Sequence, residues 1–177
     1  SLAALAAICA EVLPDSGAAL RVDLATAFGC PFEGRIAAET VLAYVRRLAE
    51  AGVGEITLCD TIGVGTPRQT EALARACREA FPEVAFGMHF HDTRGLALAN
   101  TLKAWEAGIR AFDGALGGLG GCPFAPGAPG NVATEDLVSL FSDRGVETGV
   151  SLGALLAAGA FLRETLAYAG GHPPECA

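Results

Sequence analysis

Val84-Ala85-Phe86-Gly87-Met88-His89-Phe90-His91-Asp92 alternates as a β-strand does. Successive side chains of a strand point to opposite faces. One face therefore carries Val84, Phe86, Met88 and Phe90, all large and apolar. The other carries Ala85, Gly87, His89 and His91: two very small residues, then two imidazoles at the carboxyl end. Such a strand packs under helices on one side and lines a confined interior on the other. Two neutral imidazoles on one strand face lie close enough to bind one metal ion. They equally suit plain strand-end histidines, hydrogen-bonded or exposed, so the surrounding chain has to discriminate.

On either side of this strand the sequence alternates helix and strand. Residues 2–13 carry Leu2, Leu5, Ile8, Cys9 and Val12 on one helical stripe, and Pro14-Asp15-Ser16-Gly17 breaks it. Residues 20–28 read as a strand, followed by the turn-rich Gly29-Cys30-Pro31-Phe32-Glu33-Gly34. A helix over 39–50 places Val41, Val45 and Leu48 on one face and closes at Gly52. A short strand over 55–59 runs into Asp60-Thr61-Ile62-Gly63-Val64-Gly65. Thr66-Pro67 then reads as a cap and first-turn proline for a helix to about Ala80. After the His-x-His strand come a helix from about Leu96 to Ala107, a strand over 110–116 and a Gly/Pro-rich loop to Asn131. Thr134 is placed to cap a helix whose first turn holds Glu135 and Asp136, matching the helix dipole. A last Ala/Leu-rich helix covers 152–169, and 170–177 reads as a flexible tail.

Four βα units in steps of about 30 residues predict an α/β fold with a parallel sheet. A complete TIM barrel needs eight strands and typically about 250 residues. Yet Asp60, His89, His91 and Cys122 all fall just after strand carboxyl ends, the active face of a barrel. Small residues facing inward suit a barrel lumen, with Ala85, Gly87 and Leu24 or Ala25 on the interior face. The expected architecture is a partial TIM (β/α)8 barrel, its carboxyl-terminal half, in one incomplete domain over 1–177.

Composition narrows the function. Net charge is −8, with Lys103 the single lysine and no basic run, so nucleic acid and anionic membranes are poor partners. No window holds the roughly 18 uninterrupted apolar residues of a membrane span, although mean hydropathy is +0.40. Six cysteines without a CxxC fit a reducing compartment, the cytoplasm of a bacterium or the matrix of a mitochondrion. The first residue is Ser, as in a processed or incomplete chain.

Several side chains around the histidines carry chemical potential. Gly117-Gly118-Leu119-Gly120-Gly121-Cys122-Pro123-Phe124 sets a thiol on a glycine-rich backbone able to approach a ligand, or is a turn with an incidental cysteine. Asn131 offers an amide oxygen as a third, hard metal ligand, or serves as a loop residue. Asp60 is a base, a partner orienting a ligand histidine, or a cap for its turn.

Taken together, the segments 59–67, 89–95, 117–124 and 130–136, with Ala27-Phe28-Gly29-Cys30-Pro31-Phe32-Glu33-Gly34 upstream, resemble the hydroxymethylglutaryl-CoA lyase family. That family belongs to the metal-dependent TIM-barrel lyases and Claisen-type synthases. The likeness runs from about Leu20 to Leu152; His-x-His is shared across the superfamily, whereas Gly-Leu-Gly-Gly-Cys-Pro is specific to the lyase. Two departures stand beside it: Ala115-Leu116-Gly117, where the animal enzymes have Ser-Val-Ala, and Phe124 for Tyr. They point to another 3-hydroxyacyl-CoA as an alternative substrate.

The resemblance implies retro-Claisen cleavage of an acyl-CoA substrate, 3-hydroxy-3-methylglutaryl-CoA or a relative, to acetyl-CoA and an oxo acid. It implies His89, His91 and Asn131 as ligands of Mg²⁺ or Mn²⁺, and Cys122 as the group exchanging a proton with the acetyl carbon. Asp60 is the local candidate for assisting deprotonation of the alcohol, directly or through His89; Gly120 and Gly121 are the backbone expected at the coenzyme, and the full-length enzyme is expected to be a homodimer. Cys122 is expected to be accessible and reactive, and Cys77, on an apolar helix stripe, inert. The family's Arg-Asp-Gly segment, which supplies a ligand Asp and an enolate-stabilising Arg, does not occur here. Two other readings stay open: a 2-oxo-acid synthase or aldolase of the same superfamily, and a non-catalytic fragment.

Overall fold

A computed structural model describes residues 2–11, 19–121 and 130–168. The expected flexible tail over 170–177 lies outside them. Chain order is α1 (Leu2–Glu11), β1 (Arg21–Leu24), β2 (Gly29–Cys30), β3 (Gly34–Arg35), α2 (Ala38–Glu50), β4 (Glu55–Asp60), α3 (Pro67–Ala80), β5 (Ala85–Phe90), α4 (Ala97–Glu106), β6 (Ala111–Asp113), a 3₁₀ turn at Leu116–Gly118, α5 (Thr134–Asp143) and α6 (Leu152–Tyr168). Strands β1, β4, β5 and β6 form one parallel sheet in that order, and β2 with β3 makes a small hairpin.

Register decides which residues face which way. Val22, Ile56 and Phe86 lie side by side, then Leu24, Leu58 and Met88, with Phe112 beyond Met88. This face meets the helices. Ile56, Leu58 and Met88 are fully buried in one core with Val45 and Leu48 of α2, Leu73, Ala74 and Cys77 of α3, and Ala97 and Ala104 of α4. The stripes that place these residues have the 3.6-residue period of amphipathic helices. The opposite face carries Arg21, Asp23, Thr57, Cys59, Ala85, Gly87, His89, Ala111 and Asp113. Small residues line its floor: a Cβ on Gly87 would stand 3.1 Å from Thr57 Oγ1 and 3.5 Å from Ala111 Cβ.

This face is concave. Strands β1 and β6 are three spacings apart, about 14 Å along a flat sheet. Arg21 Nη1 nevertheless meets Asp113 Oδ1 at 3.2 Å, so the sheet curls and brings the two outer strands toward each other. Four parallel strands, curled, with helices on the convex side, are half of a TIM barrel.

Three expectations need correction. The strand expected over 20–28 stops at Leu24, because Thr26 takes a left-handed φ of 57° and donates its N–H to Thr61 Oγ1 at 2.8 Å. Leu24 belongs to the helix side, aligned with Leu58; Arg21 and Asp23 take the interior face instead. Thr134 is the first helical residue, not the cap: the first helical bond runs from Leu137 N to Ala133 O at 3.1 Å, so Ala133 stands at the cap position, without a side-chain bond. Thr66 does cap α3, accepting from Gln69 N at 3.3 Å. Among the described residues no helix is long and apolar enough to cross a membrane.

Candidate active site

Strand β5 delivers both histidines to the concave face. His89 lies between Cys59 of β4 and Asp113 of β6 in the ladder, and His91 follows with the same parity. Their ring centroids are 5.3 Å apart, with the planes at 65°. His91 is 9% exposed, and its Nδ1 is buried without a hydrogen-bond partner. Burial, and then the neighbouring His89, lower the His91 pKa, which keeps the ring neutral and its lone pair available.

Asn131 reaches the pair by backbone stitching. Val132 N donates to Phe90 O and Asp92 N donates to Gly130 O, both at 3.0 Å, making His91 and Asn131 bridge partners. On the other side Ala115 N donates to Val132 O at 3.1 Å. Val132 is 2% exposed, and its burial anchors the segment that presents Asn131. Asn131 Nδ2 donates to Leu119 O at 2.7 Å, which orients the amide and leaves Oδ1 for another partner. The glycine at 120 is required for this: its φ is +95°, and a Cβ there would stand 2.8 Å from Asn131 Nδ2. Gly121 is exposed, with open space around it. Both oxygens of Glu135 accept the Gly117 N–H, at 3.0 and 3.1 Å, and fix the stem of the glycine loop. Cys122 lies outside the described residues.

Asp60 is placed elsewhere, and this corrects the expectation that it joins the histidines. It is level with Phe90 and shares the convex face with Ile56 and Leu58, because those apolar residues set the phase of β4. The carboxylate is fully buried, accepting from Val64 N at 3.0 Å and Gly65 N at 2.8 Å. Burial pushes the Asp60 carboxyl up, against the lowering by these N–H groups and by Arg94. Of the readings left open by the sequence, the turn-holding one matches the geometry. Asp60→Ala strands two N–H donors and is expected to cost about 3 kcal/mol of stability. Thermal unfolding checks this; metal affinity should stay within about twofold, since no ligand is touched.

The concave wall carries charge that was not anticipated. Arg21 pairs with Asp23 at 3.4 Å and with Asp113 at 3.2 Å. Beside them, burial and then the Asp23 and Asp113 carboxylates push the Cys59 thiol up to about 12, so it stays protonated. Cys77 is fully buried in the helix layer, its thiol likewise raised to about 12 by burial, consistent with an inert residue.

A family model described as HMGL-like matches residues 5–162. The chain belongs to the HMGL-like family. It is 49% identical over 150 residues to a (R)-citramalyl-CoA lyase of Chloroflexus aurantiacus, covering 85% of this chain and 47% of that protein. The crystal structure of the Bacillus subtilis HMG-CoA lyase superposes with a TM-score of 0.89 at 40% identity, over 99% of this chain and 57% of that one. An HMG-CoA lyase of Acinetobacter baumannii, solved in complex with coenzyme A and 3-methylmalate, gives 0.85 at 39%, over 98% and 55%. The chain thus spans about half the length of the curated relatives it matches. The partial-barrel architecture expected from the sequence is the one observed.

The side chains gathered on the concave face of this HMGL-like chain have the chemistry to hold a divalent metal ion. The donor set is two imidazoles, one with an orphaned buried nitrogen, and an amide oxygen left free by its own N–H bond. No group of three His, Cys, Asp or Glu gathers for a metal among the described residues. Two imidazoles and an amide oxygen make a donor set of mixed hardness. Sequence reading missed Arg21, Asp23, Asp113 and the anchoring role of Glu135. The alternation Arg21-Val22-Asp23-Leu24 was a legible signal for the first two; the contacts of Asp113 and Glu135 depend on the curl and on the stitched segment.

Proposed function

We propose that this chain supplies the carboxyl-terminal half of the active site of a divalent-metal-dependent carbon–carbon lyase acting on a 3-hydroxyacyl-CoA. The carrying observation is the convergence of His89, His91 and Asn131 on the concave face at the carboxyl ends of the strands. His89, His91 and Asn131 would hold Mg²⁺ or Mn²⁺, and carboxylates of the barrel strands beyond this chain would complete the shell. A bound cation of this kind acidifies the substrate alcohol and fixes its oxygens.

In the cleavage the hydroxyl loses its proton and the C–O bond becomes a carbonyl. The C2–C3 bond breaks, and its electron pair passes to C2 as the acetyl-CoA enolate. A proton delivered to C2, from the Cys122 thiol in this reading, completes acetyl-CoA. In this reading His89 assists removal of the alcohol proton; its partial exposure on the concave wall beside Asp113 supports that role. Asp60, bonded to the Val64 and Gly65 amides, has no part in that step. Gly120 and Gly121 lie at the loop end that precedes Cys122, where backbone can pass close to the coenzyme.

Two substrates fit the reading. 3-Hydroxy-3-methylglutaryl-CoA gives acetyl-CoA and acetoacetate; citramalyl-CoA gives acetyl-CoA and a 2-oxo acid. The 49% identity to a citramalyl-CoA lyase, together with the Ala115-Leu116-Gly117 departure, supports the second. The substrates differ by one methylene between carbinol carbon and carboxylate. A methylene supports discrimination of about 10–200-fold. The chain assembled with its amino-terminal half, given each substrate with Mg²⁺, is expected to release acetyl-CoA from both, within about that ratio of kcat/KM. Release from neither overturns the lyase reading. Activity surviving Cys122→Ser would favour a 2-oxo-acid synthase or aldolase.

A further inference from the structure

His89 has two neighbours at its own level of the sheet, Cys59 on β4 and Asp113 on β6, and both share its concave face. Cys59 is a poor acceptor. Its thiol, pushed up to about 12, stays protonated and donates back along its own strand to Thr57 O at 3.7 Å. Asp113 is the carboxylate of that face at the level of His89.

This carboxylate is held from the far edge of the sheet. Arg21 Nη1 on β1 meets Asp113 Oδ1 at 3.2 Å, while Arg21 Nε meets Asp23 Oδ1 at 3.4 Å. The floor between the two outer strands is low: Ala85, Gly87 and Ala111 carry at most a methyl group, and Gly87 is level with Ala111. A long side chain therefore has room to cross from β1 to β6. The paired side chains are 47% and 33% exposed, so the bridge adds little to stability. Its effect is to fix where the Asp113 carboxylate sits, and a carboxylate has lone pairs for a further donor.

A neutral imidazole donates from one nitrogen and offers a lone pair on the other. The hydrogen bond made by the first decides which is which. Histidines that bind a metal commonly give their other N–H to a carboxylate.

We propose that Asp113, held by Arg21, is a positioning residue for His89: its carboxylate accepts the imidazole N–H, fixes one tautomer and turns the lone pair of the other nitrogen toward the space shared with His91 and Asn131. The proposal rests on the metal-site reading above and assigns what orients one of its imidazoles.

The test uses the chain assembled with its amino-terminal half and labelled with ¹⁵N at histidine. Long-range ¹H–¹⁵N correlation is recorded without metal at about pH 8, where an ordinary histidine is neutral. His89 is expected in a single tautomer. Asp113→Ala and Arg21→Ala should each leave a mixture of both, whereas Asp113→Asn, which keeps an acceptor oxygen, should retain one. Paramagnetic resonance titration should show Mn²⁺ binding weakened about 10–100-fold in Asp113→Ala, and by less in Asp113→Asn. Asp23→Asn removes the other partner of Arg21 and an equal charge; it should keep the single tautomer and stay within about twofold in Mn²⁺ affinity. Thermal midpoints show that each variant is folded. Two tautomers of His89 in the unaltered protein, an unmoved tautomer or Mn²⁺ affinity in Asp113→Ala, or an equal loss in Asp23→Asn overturns the proposal. The tautomer is read without metal or substrate. A single His89 tautomer that follows Asp113, in a protein that binds no Mn²⁺ and cleaves nothing, would uphold the pair and sink the metal-site reading.

Discussion

His91→Ala is expected to weaken Mn²⁺ binding by about a hundredfold, at the upper end of losses seen when a metal site is disturbed. The reasoning is local. The His91 ring is buried, its Nδ1 has no protein partner, and burial with the neighbouring His89 holds it neutral. Asn131→Ala should weaken Mn²⁺ by less, because an amide oxygen is the weaker donor; the Leu119 bond that orients it is lost as well. Electron paramagnetic resonance titration of free Mn²⁺ measures both, with thermal midpoints confirming that the variants fold. Unchanged affinity in His91→Ala would remove the histidine pair from the metal site.

The second large effect concerns completeness. The 177-residue chain by itself is expected to show no measurable lyase activity, and its amino-terminal half supplied in trans should restore it. Strands β1 and β6 are the outer strands of the described sheet, each paired on one side only. Open parallel edges invite association, and barrels remove them by closure. Exposed Leu156 and Phe161 on α6 add apolar surface. Sedimentation of the isolated chain should therefore show dimers or larger species, and the added half should replace them with one closed complex. A monodisperse monomer with normal turnover would show that four strands suffice and that the half-barrel argument fails.

Much of this arrangement was legible in the sequence where a local period carries it. The alternation through β5 placed His89 and His91 on one face because large apolar residues occupy every other position. The Thr66-Pro67 start and the Val41, Val45 and Leu48 stripe are equally local. Asp60 was misplaced because its position at the strand end was weighed and its parity was not: Ile56 and Leu58 alternate with Thr57 and Cys59, and that phase puts Asp60 on the helix side, level with Phe90. Thr134 looked like a cap, but the first helical bond ends on Ala133 O, and the Thr134 N–H goes to Ala115 O, a long-range bond that sequence does not announce. The Asn131–His91 bridge and the Arg21–Asp113 pair are of the same non-local kind. Charge on the concave wall was overlooked by looking for small residues there, although Arg21 and Asp23 alternate with Val22 and Leu24.

The most direct measurement is an anomalous-difference map from Mn²⁺-soaked crystals of the chain assembled with its amino-terminal half. The expected map has one strong peak on the concave face, about 2.2 Å from an imidazole nitrogen of His89, one of His91 and Oδ1 of Asn131. No peak there, or a peak whose ligands exclude the two histidines, would contradict the site on which the proposed chemistry rests.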